Sequence, residues 1–412
     1  MQILFTDATI IDADGRREGN VLVEDGVIRD VAARDTGAAD RRVIRLHGRA
    51  LMPGLIDCHV HVVASMMNVA VSAQLPDAIA VLRSLPLLRG MLDRGFTTVR
   101  DVGGAPPALG EAVAQGLAVG PRLICCGKAL SRTGGHGDLR PRVDIHDAHR
   151  WERNFGALGR VADGVDAVRR ACREELRQGA RFIKVMANGG VASPTDPVAW
   201  QGYSPAELRA AVEEAADAGS YVAAHLYTSE AIVRAVQAGV YSLEHCNLID
   251  APTAALAARA GAVAVPTLVT YEALAQDGPR FGLPPDSIAK IETVRGAGMR
   301  SLEVLRSAGV TMAFGTDLLG ETQLRQSEEF AIRARVLPSA EIFAAATTIA
   351  AKLIGMEGQL GVVAPGALAD LLVVAGDPLA DVALLADPAR NVHLVMQHGR
   401  IHREALAEGV SV

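Results

Sequence analysis

Four histidines lie within short apolar segments of this 412-residue sequence. His59 and His61 lie in GLIDCHVHV, His225 lies in YVAAHLY, and His245 lies in YSLEHC. Residues i and i+2 of a strand point to the same face, so His59 and His61 are expected to share one face. Neutral imidazoles on a poorly solvated face can bind a divalent metal ion. The four histidines together therefore predict a metal site, although each alone would also fit a buried structural histidine.

A lysine in the apolar segment RFIKVMANG is a further candidate ligand. Lysine occurs four times among the 41 basic residues, and Lys184 is flanked by Phe182, Ile183, Val185 and Met186. Burial lowers the pKa of an ammonium group, and a neutral amine can add CO2 to form a carbamate whose two oxygens bridge two metal ions. Arginine stays protonated and cannot do this. The sequence predicts a Lys184 carboxylated by CO2, and a salt-bridged lysine is the alternative.

Asp317 ends the apolar segment TMAFGTD. A carboxylate at this position can bind a metal ion and accept a proton from a metal-bound water, although an N-cap of the following helix is the alternative. With the four histidines and Lys184, it completes a set of six candidate ligands. Six ligands are enough for two metal ions and too many for one tetrahedral zinc.

These residues lie in eight short apolar segments that alternate with helical segments such as 75–95 and 204–219. The eight segments are 54–62, 96–103, 122–130, 181–189, 221–227, 241–246, 262–268 and 311–317. Alternating strands and helices predict an α/β fold with a parallel sheet, and eight such units fit a (β/α)8 TIM barrel. A doubly wound sheet is the alternative on periodicity alone, but no GxGxxG motif follows the first strand.

The two ends of the chain have a different pattern, in which short strands are separated by turns. Asp25-Gly26 near the start and His398-Gly399 near the end are hairpin signals. Between the ends, the long loops 129–163 and 188–203 are rich in glycine and polar residues, and loops of this length after strands are expected to be functional.

Composition excludes several classes of partner. The chain has 41 basic and 47 acidic residues, a net charge of −6, which argues against nucleic acid. It contains no apolar run long enough for a membrane span, and its first residues lack the pattern of a secretory signal. Five scattered cysteines favour a reducing compartment over a disulfide framework. We therefore expect a cytoplasmic protein.

The motifs PGLIDCHVH, IKVMANGG, AHLYT, LEHCN and FGTD, followed by LGVVAPGALADLLVV, resemble those of the amidohydrolase superfamily. The closest resemblance is to the imidazolonepropionase-related branch that contains binuclear zinc Xaa-Pro dipeptidases and N-acyl-amino-acid carboxypeptidases. It implies a small composite β-sandwich domain of residues 1–54 and 358–412 beside a metal-dependent barrel of residues 55–357.

The resemblance also implies how the candidate ligands are shared between two metal ions, with zinc as the expected metal. His59, His61 and Asp317 would hold the more buried ion. His225 and His245 would hold the other, and the Lys184 carbamate would bridge both.

Two further residues are implied to contact the substrate, namely His136 in the motif SRTGGHGD and Tyr227 in AHLYT. From the sequence alone, a loop histidine and a packed aromatic residue are equally good interpretations. Asp317 is expected to act first as a base and then as an acid.

The predicted function is hydrolysis of the amide bond of Xaa-Pro dipeptides or N-acyl amino acids, with a hydroxide that bridges the two metals as nucleophile. The first alternative is a hydrolase of other amides or esters, such as bulky aromatic amides, carbamates or organophosphate triesters, on the same site. A mononuclear deaminase or imidazolonepropionase needs no bridging lysine, a scaffold protein would have lost ligands, and a nucleotide-binding protein lacks its glycine-rich motif. A small-molecule substrate and a homo-oligomer are expected.

Overall fold

The structure is a computed structural model that describes residues 2–35, 37, 41–193, 195–281 and 285–406. The chain divides into two compact units. The first comprises residues 1–57, 89–99 and 327–412, and the second comprises residues 58–88 and 100–326. The first unit is therefore assembled from both ends of the sequence and one internal segment.

The strands of the described residues are numbered in chain order. They are β1 (Gln2–Asp12), β2 (Gly15–Glu24), β3 (Val27–Asp30), β4 (Arg41–Arg45), β5 (Ala50–Pro53), β6 (Leu55–Val60), β7 (Phe96–Asp101), β8 (Arg122–Cys125), β9 (Ala129–Ser131), β10 (Gly159–Val161), β11 (Ile183–Met186), β12 (Val222–Thr228), β13 (Ser242–Leu248), β14 (Val263–Val265), β15 (Thr311–Met312), β16 (Leu371–Val374), β17 (Val392–Gln397) and β18 (Arg400–Glu404).

The α-helices are numbered in the same way. They are α1 (Val69–Ser72), α2 (Asp77–Asp93), α3 (Pro107–Ala114), α4 (Val165–Arg177), α5 (Pro205–Asp217), α6 (Ser229–Ala238), α7 (Ala251–Arg259), α8 (Leu268–Asp277), α9 (Pro285–Ser307), α10 (Glu328–Arg333), α11 (Ser339–Ala345), α12 (Thr348–Leu353) and α13 (Pro388–Asn391). The helices predicted at 75–95 and 204–219 are confirmed as α2 and α5. Ser204 and Glu207 form a capping box that fixes where α5 begins.

An eight-stranded sheet forms the first unit. Its order is β18-β17-β16-β5-β1-β2-β3, with β4 paired to β1. Both predicted hairpins are confirmed. Asp25 and Gly26 join β2 to β3 with φ of 51° and 81°, and His398 and Gly399 join β17 to β18 with φ of 48° and 73°. Positive φ at both turn residues is the conformation that matches the twist of paired strands.

A parallel sheet forms the framework of the second unit. Its order is β10-β9-β11-β12-β13-β14-β15, and every pairing in it is parallel. The helices α4 to α7 lie between its successive strands in the sequence. The predicted α/β fold with a parallel sheet is therefore confirmed.

The strands β6, β7 and β8 form a separate three-stranded sheet, so the described pairings do not form one continuous ring. The reason is partly that the predicted strand 122–130 is interrupted, with β8 before Cys126 and β9 after Lys128. Single backbone hydrogen bonds nevertheless link the outer segments. Cys58 N donates to Phe314 O at 2.8 Å, and Arg181 N donates to Cys125 O at 2.8 Å.

Within the described residues, no helix is both long enough and apolar enough to cross a membrane.

Candidate metal centre

A buried ion pair holds His59 in one tautomer. The residue lies near the end of β6, and its Nδ1 is 2.7 Å from Oε2 of Glu244 on β13. Arg100 Nη2 donates to both carboxylate oxygens of Glu244, at 2.8 and 3.0 Å. Burial would raise the pKa of Glu244, but Arg100 and His59 hold that pKa well below its usual range. Because an ionised carboxylate only accepts hydrogen bonds, His59 Nδ1 carries the proton and Nε2 is left as the ligand nitrogen.

His61 and His225 are each held by a backbone carbonyl. His61 Nδ1 is 2.8 Å from Gly103 O, and His225 Nε2 is 3.1 Å from Gly189 O. A carbonyl oxygen only accepts, so these ring nitrogens donate, and Nε2 of His61 and Nδ1 of His225 keep their lone pairs. Burial lowers the pKa of His225 well below its ordinary value. The neutral imidazole that results is the form that binds metal ions.

His245 and Asp317 both lie on left-handed backbone. Their φ angles are 72° and 55°, and Cys246 has a φ of 58°. Such angles are uncommon outside glycine and cost about 1–3 kcal/mol each, so they persist where the surroundings impose them. Asp317 N donates to His59 O at 2.8 Å, and His245 Nδ1 lies 2.8 Å from Thr267 Oγ1. The strained residues are two whose side chains meet.

The carboxylate of Asp317 is the centre of the cluster. Its Oδ1 is 3.3 Å from His59 Nε2 and 3.2 Å from His61 Nε2, and its Oδ2 is 3.9 Å from His245 Nδ1. Ligand atoms of His59, His245 and Asp317 all lie within 4.8 Å of one another. Burial would raise the pKa of Asp317, but the adjacent imidazoles hold that pKa well below its usual range.

Lys184 lies on β11, next to the strand that carries His225. It is 1% exposed, and it pairs with Ala223 on β12, two residues before His225. Burial lowers its pKa despite the charges of Glu244 and Asp317. A lowered pKa favours the neutral amine that carbamate formation requires.

This donor set fits divalent metal ions. Each of the four imidazoles has one ring nitrogen engaged by a fixed partner, the arrangement usual around metal-binding histidines. A carboxylate and a buried lysine complete the oxygen and nitrogen donors.

The two residues expected to contact substrate lie beside this cluster. The His136 ring stacks on that of His225, with centroids 4.2 Å apart and planes 20° apart. Tyr227 is buried, and its ring centroid is 4.7 Å from that of His225. Its hydroxyl oxygen accepts a hydrogen bond from Tyr271 at 3.0 Å. Burial raises the pKa of Tyr227, so its hydroxyl stays protonated.

A cavity of about 60 Å³ adjoins the cluster. Both long loops that the sequence marked as functional contribute to its wall, and most of the other wall residues are apolar. The wall is formed by His61, Val69, His136, Gly137, Leu139, Leu158, Gly159, Met186, Val191, Ala192, Tyr227, Thr270, Tyr271, Leu274, Asp317 and Leu319. Among the described residues of this wall there is no arginine or lysine.

Comparison with known proteins identifies the family. Residues 50–402 match the model of the amidohydrolase family. The chain belongs to this family. It is 33% identical over 362 residues to the ochratoxinase of Aspergillus niger, covering 84% of this chain and 74% of the relative. It is 28% identical over 417 residues to the imidazolonepropionase of Rhizorhabdus wittichii, covering 90% of this chain and 92% of the relative.

A solved structure is also similar to this amidohydrolase. A prolidase crystallised with N-methylphosphonate-L-proline shares 48% sequence identity with it, with a TM-score of 0.96. The alignment covers 98% of this chain and 100% of the prolidase. The resemblance to the amidohydrolase superfamily and its imidazolonepropionase-related branch is therefore confirmed.

The sequence did not assign roles to three residues of this amidohydrolase that support the site. Arg100 and Glu244 form the ion pair that orients His59, and Tyr271 hydrogen-bonds to Tyr227. The first two had a signal, since a charged residue in an otherwise apolar strand must find a partner. Tyr271 had none, because it lies on α8, outside the strands that carry the ligands.

Proposed function

We propose that this amidohydrolase is a binuclear metal-dependent hydrolase that cleaves the amide bond of Xaa-Pro dipeptides or N-acyl amino acids. The observation that carries the proposal is the set of four imidazoles, each fixed through one nitrogen, around Asp317 and beside the buried Lys184. A core of structural histidines would not require a free carboxylate oxygen 3.2–3.3 Å from two of them. The similarity to a prolidase supports the substrate class.

The metal ligands are proposed to be divided between two ions, with zinc as the expected metal. His59, His61 and Asp317 would hold one ion, and His225 and His245 the other. Lys184, carboxylated by CO2, would contribute an oxygen to each. When bound, the ions supply Lewis-acid polarisation of the scissile carbonyl and lower the pKa of water.

The protein groups then have separate tasks. Asp317 accepts the proton of the attacking water and delivers it to the departing amine nitrogen, so it is first a base and then an acid. Tyr227 and His136 line the cavity, and as hydrogen-bond donors they stabilise negative charge that develops on the carbonyl oxygen. The apolar wall excludes water and so strengthens these interactions.

The same wall supports an apolar side chain on the substrate. Val69, Leu139, Leu158, Leu274 and Leu319 would contact it. Because the described wall has no arginine or lysine, we propose that the substrate carboxylate is bound by hydrogen-bond donors and metal rather than by an ion pair with a cationic side chain.

A hydrolysis screen tests the function. The zinc-loaded protein is assayed on Xaa-Pro, Xaa-Arg and Xaa-Phe dipeptides and on N-acyl amino acids, each paired with its C-terminal amide as a matched control. We expect turnover of the free acids and at least tenfold lower kcat/KM for the amides. Activity confined to the amides would contradict the proposal.

A second candidate is hydrolysis of bulky aromatic amides, carbamates or organophosphate triesters. The apolar wall and the similarity to the ochratoxinase of Aspergillus niger favour the first of these. In the same screen, the second candidate predicts turnover that does not depend on a free carboxylate.

The finer architecture is also a proposal. We infer that β6, β7, β8, β11, β12, β13, β14 and β15 form the eight-stranded TIM barrel, and the hydrogen bonds Cys58–Phe314 and Arg181–Cys125 support its closure. The composite β-sandwich of residues 1–54 and 358–412, a homo-oligomer and a cytoplasmic location are proposed in addition. Five buried free cysteines support a reducing compartment.

A further inference from the structure

His136 is fixed on both faces of its ring and at one nitrogen. One face stacks on His225, a proposed metal ligand. Gly190 lies close to the ring as well, and a Cβ at Gly190 would overlap it, so only glycine fits there without a shift. His136 Nδ1 is 2.7 Å from Ser193 Oγ and 3.5 Å from Asp196 Oδ2. A loop histidine with a merely solvated role would need none of these contacts.

Asp196 is a buried carboxylate that neither the metal site nor the proposed reaction uses. It is 1% exposed, as is Ser193, and its Oδ2 accepts a hydrogen bond from Gly190 N at 2.8 Å. Burial would raise the pKa of Asp196, but hydrogen bonds from His136 and Ser193 hold that pKa below its usual range. Burying a charge is costly unless it is paired, so a carboxylate at this position needs a partner beside it.

The loop that carries Asp196 is fastened from outside by Lys290. The ammonium group donates to three carbonyl oxygens, Gly190 O at 3.2 Å, Ser193 O at 3.2 Å and Asp196 O at 3.0 Å. An ammonium group has three protons, so these contacts use all of them. Lys290 therefore fixes the three loop residues that surround His136.

We propose that Asp196 and Ser193 are positioning residues that hold His136 in its Nδ1-protonated form, facing the substrate, within a loop secured by Lys290. The argument rests on the proposed function, since it assigns His136 to the substrate. A carboxylate can only accept, so Nδ1 of His136 must donate towards Ser193 and Asp196. The remaining nitrogen, Nε2, is then the one available to a ligand in the cavity that His136 lines. Without Asp196, the Ser193 hydroxyl is free to donate to Nδ1, which would reverse the tautomer.

A double-mutant cycle between Asp196 and His136 tests this relationship. Asp196→Asn keeps the shape and removes the charge. We expect it to lower kcat/KM about 10- to 100-fold, the range seen when a partner that orients an active-site histidine is lost. In a His136→Ala background the same change should lower kcat/KM less than twofold, because the group that it positions is gone. Equal losses in both backgrounds would overturn the proposal.

Two further variants separate positioning from folding and from the metal site. Ser193→Ala should show the same non-additivity with His136→Ala if Asp196→Asn proves too unstable to assay. Asp144→Asn is the matched control, because Asp144 Oδ1 lies 2.7 Å from Nδ1 of the exposed His146 and so forms a similar pair elsewhere. This control should leave kcat/KM unchanged. Metal content should stay at the wild-type value in Asp196→Asn.

A spectroscopic measurement gives an answer even if no substrate is found. In 15N NMR spectra of the metal-loaded protein, the His136 signals are assigned by their absence in His136→Ala. We expect the Nδ1-protonated pattern in wild type and a mixed or reversed pattern in Asp196→Asn. The same pattern in both would overturn the proposal. The expected change without hydrolysis of any panel substrate would retain the positioning role and reject the proposed function instead.

Discussion

Glu244 Oε2 lies 2.7 Å from Nδ1 of His59, and Arg100 binds the same carboxylate from the other side. This contact fixes which nitrogen of His59 faces Asp317, so the ion pair determines a metal ligand without touching the metal. Arg100 Nε also donates to Cys58 O, the residue before His59, at 2.6 Å. Backbone and side chain of the ligand segment are thus held by one buried arginine.

Replacing Glu244 by Gln should weaken metal binding. The amide can donate as well as accept, so His59 loses the constraint on its tautomer, and Arg100 is left as a buried charge without a carboxylate. We expect metal affinity to fall about 10- to 100-fold, as for other partners of metal-binding histidines. Competition with a chelator of known affinity measures the change.

Glu214→Gln is the control for this prediction. Glu214 also accepts hydrogen bonds from two arginines, Arg169 and Arg173, but it lies on α5 and contacts no candidate ligand. Its replacement should leave metal affinity unchanged. A similar loss of affinity in both variants would show that Glu244 acts only through general stability.

Lys184→Ala should remove metal as well as activity, because the proposed carbamate contributes an oxygen to both ions. Lys184→Arg should behave in the same way, since a guanidinium stays protonated and cannot add CO2. Metal analysis of the purified variants measures occupancy, and 13C NMR after exposure to 13CO2 detects the carbamate carbon in wild type. Full occupancy by two ions in Lys184→Ala would contradict the carbamate.

Asp317→Asn should separate catalysis from metal binding. The amide oxygen can still approach Nε2 of His59 and His61, but the side chain can no longer carry a proton from water to the amine. We expect kcat to fall by about 10²–10⁴, the usual contribution of general acid–base catalysis. Metal content is measured on the same sample, and a variant that keeps its metals and loses less than tenfold in kcat would refute the assignment.

The sequence predicted the elements that carry the ligands better than it predicted how the site is held. The strands that contain His59, Lys184, His225 and His245 are present, because apolar runs with one polar interruption are a local signal. The eighth segment was expected to be a strand up to Asp317, but β15 ends at Met312. Beyond it the chain bonds to the β6 segment through Phe314 O and Asp317 N, a long-range contact that periodicity does not contain.

The partners of the ligands were harder to predict for the same physical reason. Gly103 and Gly189 hold His61 and His225 through their carbonyl oxygens, which every residue type has. Left-handed backbone at His245 and Asp317 is imposed by tertiary contacts and has no local signature. Glu244 and Arg100 were readable as buried charges, yet only the fold brings them together.

Lys290→Met should loosen the loop at 188–201. Methionine is of similar length but cannot donate to the carbonyls of Gly190, Ser193 and Asp196, which would lose their partner. Hydrogen–deuterium exchange should become faster in peptides from this loop, whose Gly189 N and Gly190 N are hydrogen-bonded in the intact protein. Lys352→Met is the control, because Lys352 is exposed and pairs with Glu357 outside the loop. Unchanged exchange in Lys290→Met would contradict the anchoring role.

Alkaline pH should destabilise the protein through its buried thiols. Burial raises the pKa of Cys172 to about 12, and burial also raises the pKa values of Cys125, Cys126 and Cys246. A folded-state pKa above the unfolded value means stability that is present below the unfolded pKa of a thiol, near 9, and lost as pH rises through the folded value. Between pH 9 and 12 the unfolded chain binds fewer protons, so each such thiol lowers the free energy of unfolding by about 1.4 kcal/mol per pH unit. Urea unfolding of the metal-free protein at pH 8, 9.5 and 10.5 measures the slope. Cys172→Ala lowers stability at every pH by leaving a cavity, but its slope should be shallower by the contribution of one thiol, and an identical slope would show that Cys172 titrates normally.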